Sequence, residues 1–197
     1  MKRRTWFRTC LQGVAAAVVG AASQAAFAAG EGEDKAGREG AAPGTLRSIA
    51  VLDFELVDDH DNPDTKAAQA RRLDLATQQL QQELAAYHLY RVIDPAPSQE
   101  LQRTLRAQQA FLYRCDDCAD QVGRLLGVDL VMATWVQKVS ELILNLNVQI
   151  WDVRAHKVIF SKSVDLRGNN DPSWTRAVHY LVRDMAEKRE RNPRYGL

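Results

Sequence analysis

Two cysteines stand two residues apart in the stretch YRCDDCADQ, Tyr113 to Gln121, with carboxylates between and after them. Such a pair can anchor a haem, supply half a metal site, form a redox couple or close a small structural clasp. Each use makes its own demand on the neighbours. A c-type haem needs a histidine directly after the second cysteine, and Ala119 stands there, which excludes it. A four-ligand zinc site needs two further Cys or His ligands; there is no second cysteine pair, and His60, His88, His156 and His179 are scattered singly. A three-ligand set with Asp116 or Asp117 has nothing else in the sequence to recommend it. A thiol oxidoreductase wants a helix amino end that stabilises a thiolate, which this motif could have. Asp116 and Asp117 work against that thiolate, and no proline follows until Pro172. A structural disulfide between Cys115 and Cys118 is therefore the leading reading, and a redox couple the alternative. Closing so short a loop restricts the unfolded chain by about 2 kcal/mol, enough to fix a helix start.

Other candidate chemistry is thinner. The acidic run DDHDNPD, Asp58 to Asp64, fails as an EF-hand: counting from Asp59, Asp64 stands where glycine is expected and Ala70 where the bidentate glutamate belongs. An exposed turn that caps a following helix fits it better. No nucleophile elbow, phosphate loop or metalloprotease helix is present. Ser173 and His179 lie six apart on one helix and face different ways, so they form no dyad. Trp135, Trp151 and Trp174 read first as core or rim aromatics. If two of them share an exposed face with Asn145, Asn147 and Gln149, they mark an interface or a ligand cleft. No catalytic residue, metal or cofactor is assigned.

The compartment in which these cysteines sit follows from the start of the chain. Lys2, Arg3, Arg4 and Arg8 precede an apolar run of small residues that ends in Ala26-Phe27-Ala28, the A-x-A pattern of a secretory signal peptide. Cleavage is expected after Ala28. Residues 1–28 hold four of the 26 Lys and Arg and none of the 25 Asp and Glu, so the remainder is slightly acidic, with no basic excess to suggest nucleic acid. Cys10 leaves with the signal, and the motif cysteines then stand alone in a compartment where disulfides persist. No second apolar run is long enough to span a membrane.

Residues 29–45 mix glycine with charge and read as a disordered leader, followed by one domain over 46–190 and a flexible tail at 191–197. The domain opens with a strand in which Ala50, Leu52, Phe54 and Leu56 alternate onto one face. Leu73, Ala76, Leu80 and Leu84 then repeat at helical spacing in a surface helix from Asp64 to Ala86. LYRVID is a second strand; Ser98 starts a helix that turns Leu101, Leu105 and Leu112 inward; Asp117 and Asp120 read as helix-capping carboxylates of a short helix ending at Gly127. Three strands come next, VDLVMATWVQKV, LILNLNVQIWDV and KVIFSKSVDLRG, joined by hairpin-length turns. In the middle one Leu142, Leu144, Leu146, Val148 and Ile150 share a face. Asp171 as N-cap and Pro172 at the first position start the last helix, which carries Trp174, Val178, Leu181, Val182 and Met185 as its apolar stripe. The order β-α-β-α-α-β-β-β-α predicts an α/β domain, an α+β sandwich with a mixed sheet of about five strands and helices packed on it.

The combination of IAVLDFELVDD, RRLDLATQQLQQEL, YRVIDPAP, the run from Cys115 to Val153 and SVDLRGNNDPSWTRAVHYLVRD resembles a family of uncharacterised secreted bacterial proteins that carry a domain of unknown function. More distantly, IAVLDFE and LGVDLVMATWV with the meander after it are similar to the amino-terminal domain of the Tol-system propeller protein. They are similar also to periplasmic domains of curli secretion and of lipoprotein activators of cell-wall synthases. The resemblance implies an α/β sandwich used for protein interaction in the envelope, with no shared catalytic residues. The expected function is a non-enzymatic periplasmic accessory protein with an envelope protein as partner. A thiol-disulfide role for Cys115 and Cys118 and a small-molecule or ion-binding module are the alternatives.

Overall fold

The structure, a computed structural model, describes residues 45–59, 62–115 and 117–197. Its elements are β1 (Ser48–Val51), β2 (Glu55–Asp58), α1 (Pro63–Ala86), β3 (Arg91–Ile93), α2 (Gln99–Gln108), α3 (Cys118–Leu126), β4 (Leu130–Lys138), β5 (Ile143–Asp152), β6 (Lys157–Arg167) and α4 (Asp171–Arg191). They form one mixed sheet in the order β3-β1-β4-β5-β6, with β2 pairing β4 beyond β1. β1 is parallel to β3 and β4, and β2 is parallel to β4. β4, β5 and β6 are an antiparallel meander. The expected α+β class is what the fold is. The expected signal peptide and most of the expected leader fall outside the described residues.

Six strands stand where five are expected because the first one is broken. Between β1 and β2 the backbone of Leu52 to Phe54 leaves the ladder, and its polar groups are satisfied elsewhere. Leu52 N–H donates to the Met132 carbonyl at 2.9 Å, Thr134 Oγ1 donates to the Leu52 carbonyl at 2.9 Å, and Phe54 N–H donates to Thr77 Oγ1 at 3.0 Å. The break shifts the side-chain phase by one residue. Ala50 and Leu52 pack with α2 and α3, whereas Phe54 and Leu56 join Ile49 and Val51 on the opposite face, so the single face read from the sequence is divided between two cores.

The larger core lies under α1 and α4. Ala76, Leu80 and Leu84 of α1 and Trp174, Val178, Leu181, Val182 and Met185 of α4 close over Met132, Val136, Leu144, Leu146, Val148 and Ile150 of the sheet. Burying one such aliphatic side chain stabilises the fold by roughly 1.5–3 kcal/mol. Leu142, expected on this face, lies just before the start of β5 and is 72% exposed in the hairpin. On the other face Leu105, Leu112, Cys118 and Val122 cover Ala50 and Val131. That layer covers β1, β3, the start of β4 and the near end of β5. Gly123 lets α3 come this close, since a Cβ there would sit 2.3 Å from a Val153 methyl.

Helix starts follow local chemistry. α1 is capped by Asn62, whose Oδ1 accepts from Asp64 N–H at 3.0 Å, with Pro63 in the first turn. α4 is capped by Asn170 rather than Asp171, through Ser173 N–H at 3.1 Å. Asp171 is the first residue of the helix, and its carboxylate is bound by Arg71 and Arg72 of α1, each at 2.8 Å. The last residues, read from composition as a flexible tail, make defined contacts with the domain. Tyr195 meets the Phe160 ring edge-on at 5.2 Å, Tyr90 donates its hydroxyl to the Gly196 carbonyl at 2.5 Å, and Arg189 Nε donates to the Tyr195 carbonyl at 2.9 Å. An aromatic ring and three hydrogen-bonding groups hold what composition alone reads as a frayed end.

Candidate functional site

The three tryptophans separate. Trp174 is core, 2% exposed, with its indole N–H donating to Asn169 Oδ1 at 3.0 Å. Trp135 on β4 and Trp151 on β5 project from the opposite face of the sheet, and on that same face of β5 stand Asn145, Asn147 and Gln149, all half-buried. Trp135 lies directly across the ladder from Asn147, which in turn faces Ser163 on β6; Asn145 faces Asp165. The β6 side chains Ser161, Ser163 and Asp165 are exposed. The structure thus brings Trp135, Trp151, Asn145 and Asn147 together and leaves Trp174 out. Within the group Trp151 packs against the α2 and α3 core, so Trp135 is the aromatic nearest the open part of the face.

Trp135 is held by a segment whose role the sequence does not announce. The Tyr113 ring stacks on it at 4.1 Å, Phe111 lies 5.6 Å from Tyr113, and the Arg114 guanidinium sits over both the Phe111 and Tyr113 rings. Glu55 of β2, the ladder partner of Trp135, accepts Leu112 N–H on both carboxylate oxygens at 3.1 and 3.0 Å and faces Arg106 at 3.4 Å. The run FLYR is the signal that could have been read: alternating aromatics directly before the cysteines.

Cys115 and Cys118 are disulfide-bonded, with Cα atoms 5.4 Å apart. Cys118 is fully buried at the start of α3, so the bridge ties the aromatic segment to a helix packed on the sheet. The neighbouring carboxylates do not act as caps. Asp117 occupies the N-cap position without a side-chain bond to the helix backbone and accepts instead from Gln121 Nε2 at 3.0 Å. Asp120 is buried and ion-paired with Arg124, and its other carboxylate oxygen lies 2.9 Å from His156 Nδ1 in the β5–β6 turn. Asp116 lies outside the described residues.

The arrangement limits the chemistry. Ligand atoms of Cys115, Asp117 and Cys118 lie within 4.8 Å of one another, a grouping that could hold a metal, but both sulfurs are spent on each other. Among the described histidines, His156 pairs with Asp120 and His179 with Glu83 at 3.1 Å. Ser173 donates its hydroxyl to the Arg167 carbonyl at 3.0 Å, so it has no histidine partner.

Two charged clusters fasten the ends of β4. At its start, Asp129 accepts from Ser48 N–H at 2.7 Å and Ser48 Oγ at 2.6 Å, and Arg47 pairs with Asp152 at 2.9 Å. Partial burial opposes ionisation of Asp129, yet the Ser48 hydrogen bonds and the Arg47 charge outweigh it and hold the carboxyl below its usual range. At its end, buried Lys138 contacts Asp58 at 2.9 Å and Glu141 at 2.7 Å. Burial alone would lower the ammonium's pKa, but these hydrogen bonds raise it above the usual lysine value.

Among the described residues no helix is long and apolar enough to cross a membrane. No curated protein matches the chain. Solved structures similar to it include the LpoB C-terminal domain from Escherichia coli, at 15% identity over 64% of this chain and 87% of that one, TM-score 0.42. The PelC dodecamer from Paraburkholderia phytofirmans is similar at 13% identity over 70% and 85%, TM-score 0.45. TolB from Acinetobacter baumannii is similar at 10% identity over 77% of this chain and 30% of that one, TM-score 0.42. The family model DUF3280, described as a protein of unknown function (DUF2380), matches residues 47–185, and by that match over most of its length the chain belongs to this family.

Proposed function

We propose that this protein is a non-enzymatic accessory protein of the bacterial envelope, exported to the periplasm, that binds another envelope protein through the open half of its sheet. The observation that carries the reading is the placement of Trp135 beside Asn145 and Asn147 on a face that helices cover only in part. A rigid aromatic next to adaptable amide side chains is the composition of a binding surface. The Cys115–Cys118 bridge supports an oxidising compartment, in keeping with the A-x-A pattern at Ala26 to Ala28. The test is capture from periplasmic extract with the wild type, with Trp135→Ala and with Asn147→Ala. A partner retained by the wild type and lost by both variants supports the surface. Retention by all three, or no partner at all, sinks it.

A redox role is the second reading, favoured by one observation: the bridge stands at the amino end of α3, where the helix dipole would stabilise a thiolate. The reduction potential separates the two. A value below about −300 mV marks a structural bridge, and one near about −120 to −180 mV marks an exchanging couple.

A further inference from the structure

β6 ends the sheet on one side, with no strand beyond it among the described residues. The direction of its backbone groups follows from the register. Gly168 N–H donates to the Leu142 carbonyl at 3.0 Å. Hydrogen-bonded and non-hydrogen-bonded pairs alternate in an antiparallel ladder, so Ser161, Ser163, Asp165 and Arg167 turn their N–H and C=O groups away from β5. The bond from Ser173 Oγ to the Arg167 carbonyl, made from outside the sheet, agrees with this phase. No loop or side-chain hydrogen bond among the described residues reaches the outward N–H groups of Ser163, Asp165 and Arg167.

Beside this edge runs one face of α4. Ser173, Arg176, Ala177 and Tyr180 follow one another at helical spacing and, with Ser163 to Arg167, enclose an open groove of about 560 Å³. Tyr180 is 46% exposed and forms its aromatic wall. A free strand edge next to a helix is the arrangement that accepts an extended peptide as one more strand, with main-chain hydrogen bonds supplying affinity and alternate side chains supplying selectivity.

Charge identifies the occupant. Lys162 is paired with Asp184, and Arg183 with Glu187. Arg176 donates only to Ser173 Oγ, at 3.1 Å, and neither it nor Arg167 pairs with a carboxylate among the described residues. Asp165 lines the groove, but its Oδ1 lies 3.0 Å from the Asn145 amide nitrogen when that amide is turned to donate, on the open sheet face. A second copy of the chain fits poorly: antiparallel pairing of β6 with itself along its whole length sets Lys162 against Lys162 and Lys157 against Arg167.

We infer that the groove between β6 and α4 binds an extended acidic segment of a partner protein as an added strand, with Arg176 and Arg167 reading carboxylates on its two alternating faces. The inference rests on the reading of this chain as an envelope binding protein, and it places the contact on an edge that does not include Trp135.

The probe is an eight-residue peptide in the order Val-Asp-Asp-Val-Val-Asp-Asp-Val, which sets carboxylates on both faces of an extended strand, titrated by calorimetry into the full chain. Saturable binding is expected for it and none for the version with lysine in place of aspartate. Arg167→Ala with Arg176→Ala should weaken binding about tenfold or more, since charge-assisted contacts are lost. Ser163→Pro removes an outward N–H at an edge position that tolerates proline, and should abolish binding with the far-ultraviolet circular dichroism unchanged. Equal binding to the wild type and all three substitutions, no binding to the wild type, or a dimer that Ser163→Pro dissociates would each overturn the groove. Trp135→Ala keeps the two readings apart. An extract partner lost with Trp135→Ala but kept with Ser163→Pro overturns the groove and spares the face; peptide binding kept in Trp135→Ala and lost in Ser163→Pro supports the groove whatever becomes of the face.

Discussion

The Tyr113 ring lies flat on the Trp135 indole, centroids 4.1 Å apart and planes 6° from parallel. Tyr113 stands between Leu112, whose N–H is taken by Glu55, and Cys115, whose sulfur is bonded to Cys118. One short segment is therefore fixed to the sheet by a stack, a carboxylate and a covalent bridge.

Reduction of Cys115–Cys118 should loosen that segment and spare the sheet. The bridge closes a short loop, and in the chain-entropy account its loss removes about 2 kcal/mol. Hydrogen exchange is expected to quicken for amides from Leu112 to Leu126 and to stay unchanged in β4, β5 and β6. Equal acceleration throughout would show that the bridge holds the whole domain.

Glu55→Ala leaves the Leu112 N–H without its acceptor beneath a side chain only 3% exposed. An orphaned buried donor costs about 1–3 kcal/mol, so the urea midpoint should fall by that equivalent and tryptophan emission should shift as Tyr113 leaves Trp135. An unchanged midpoint and emission would mean that the stack alone holds the segment.

Gly123→Ala pits two effects against each other. Alanine favours the helix by about 1 kcal/mol, but its Cβ would lie 2.3 Å from Val153 Cγ2 and 3.1 Å from Val131 Cγ2. Overpacking of this kind costs about 1–3 kcal/mol, and α3 also carries Cys118, so net destabilisation is expected. Adding Val153→Ala should recover most of the loss in thermal melts, and failure to do so would place the strain elsewhere.

Acid should weaken the domain through Asp129, Asp152 and Asp184. Partial burial opposes ionisation of each, and hydrogen bonds with Ser48 for Asp129, Ala155 N–H and Arg47 for Asp152, and Lys162 for Asp184 prevail, so all three are held below the usual carboxylate pKa. With the folded value depressed, the contribution is complete above the unfolded pKa and is lost as pH falls through the folded one. Stability should therefore decline below about pH 4, where unfolded aspartates begin to take up protons. Ser48→Ala should flatten that decline; an identical acid limb in Ser48→Ala would remove Asp129 from the account.

Much of the architecture is legible in the residues because period and punctuation agree. Leu144 to Ile150 alternate and are buried on one face, while α4 begins within a residue of Asp171-Pro172 and carries the expected stripe. The phase shift at Leu52 to Phe54 is not legible, since a strand buried on both sides has no polar face to betray a missed register. Of the site, the pairing of Cys115 with Cys118 and the shared face of Trp135, Asn145 and Asn147 could be framed as expectations. Trp174 is already set apart by its place on the α4 apolar stripe with Val178 and Leu181, and it is buried there. The stack of Tyr113 on Trp135 joins residues 22 apart in the sequence through Glu55, 58 residues before Tyr113, and no local pattern encodes it.

β1 lies between β3 and β4, hydrogen-bonded to both. The first of the described strands thus belongs to the interior of the sheet, and its second neighbour begins only at Leu130, long after β1 has been synthesised. The meander from Leu130 to Arg167 can close on itself through local contacts, whereas β1 has to wait and enter a slot. During that wait Ile49, Ala50, Val51 and Leu52 form an unbroken apolar run whose edge toward β4 stays open even once β3 has paired, the part of this chain most exposed to wrong pairing until its last partner arrives.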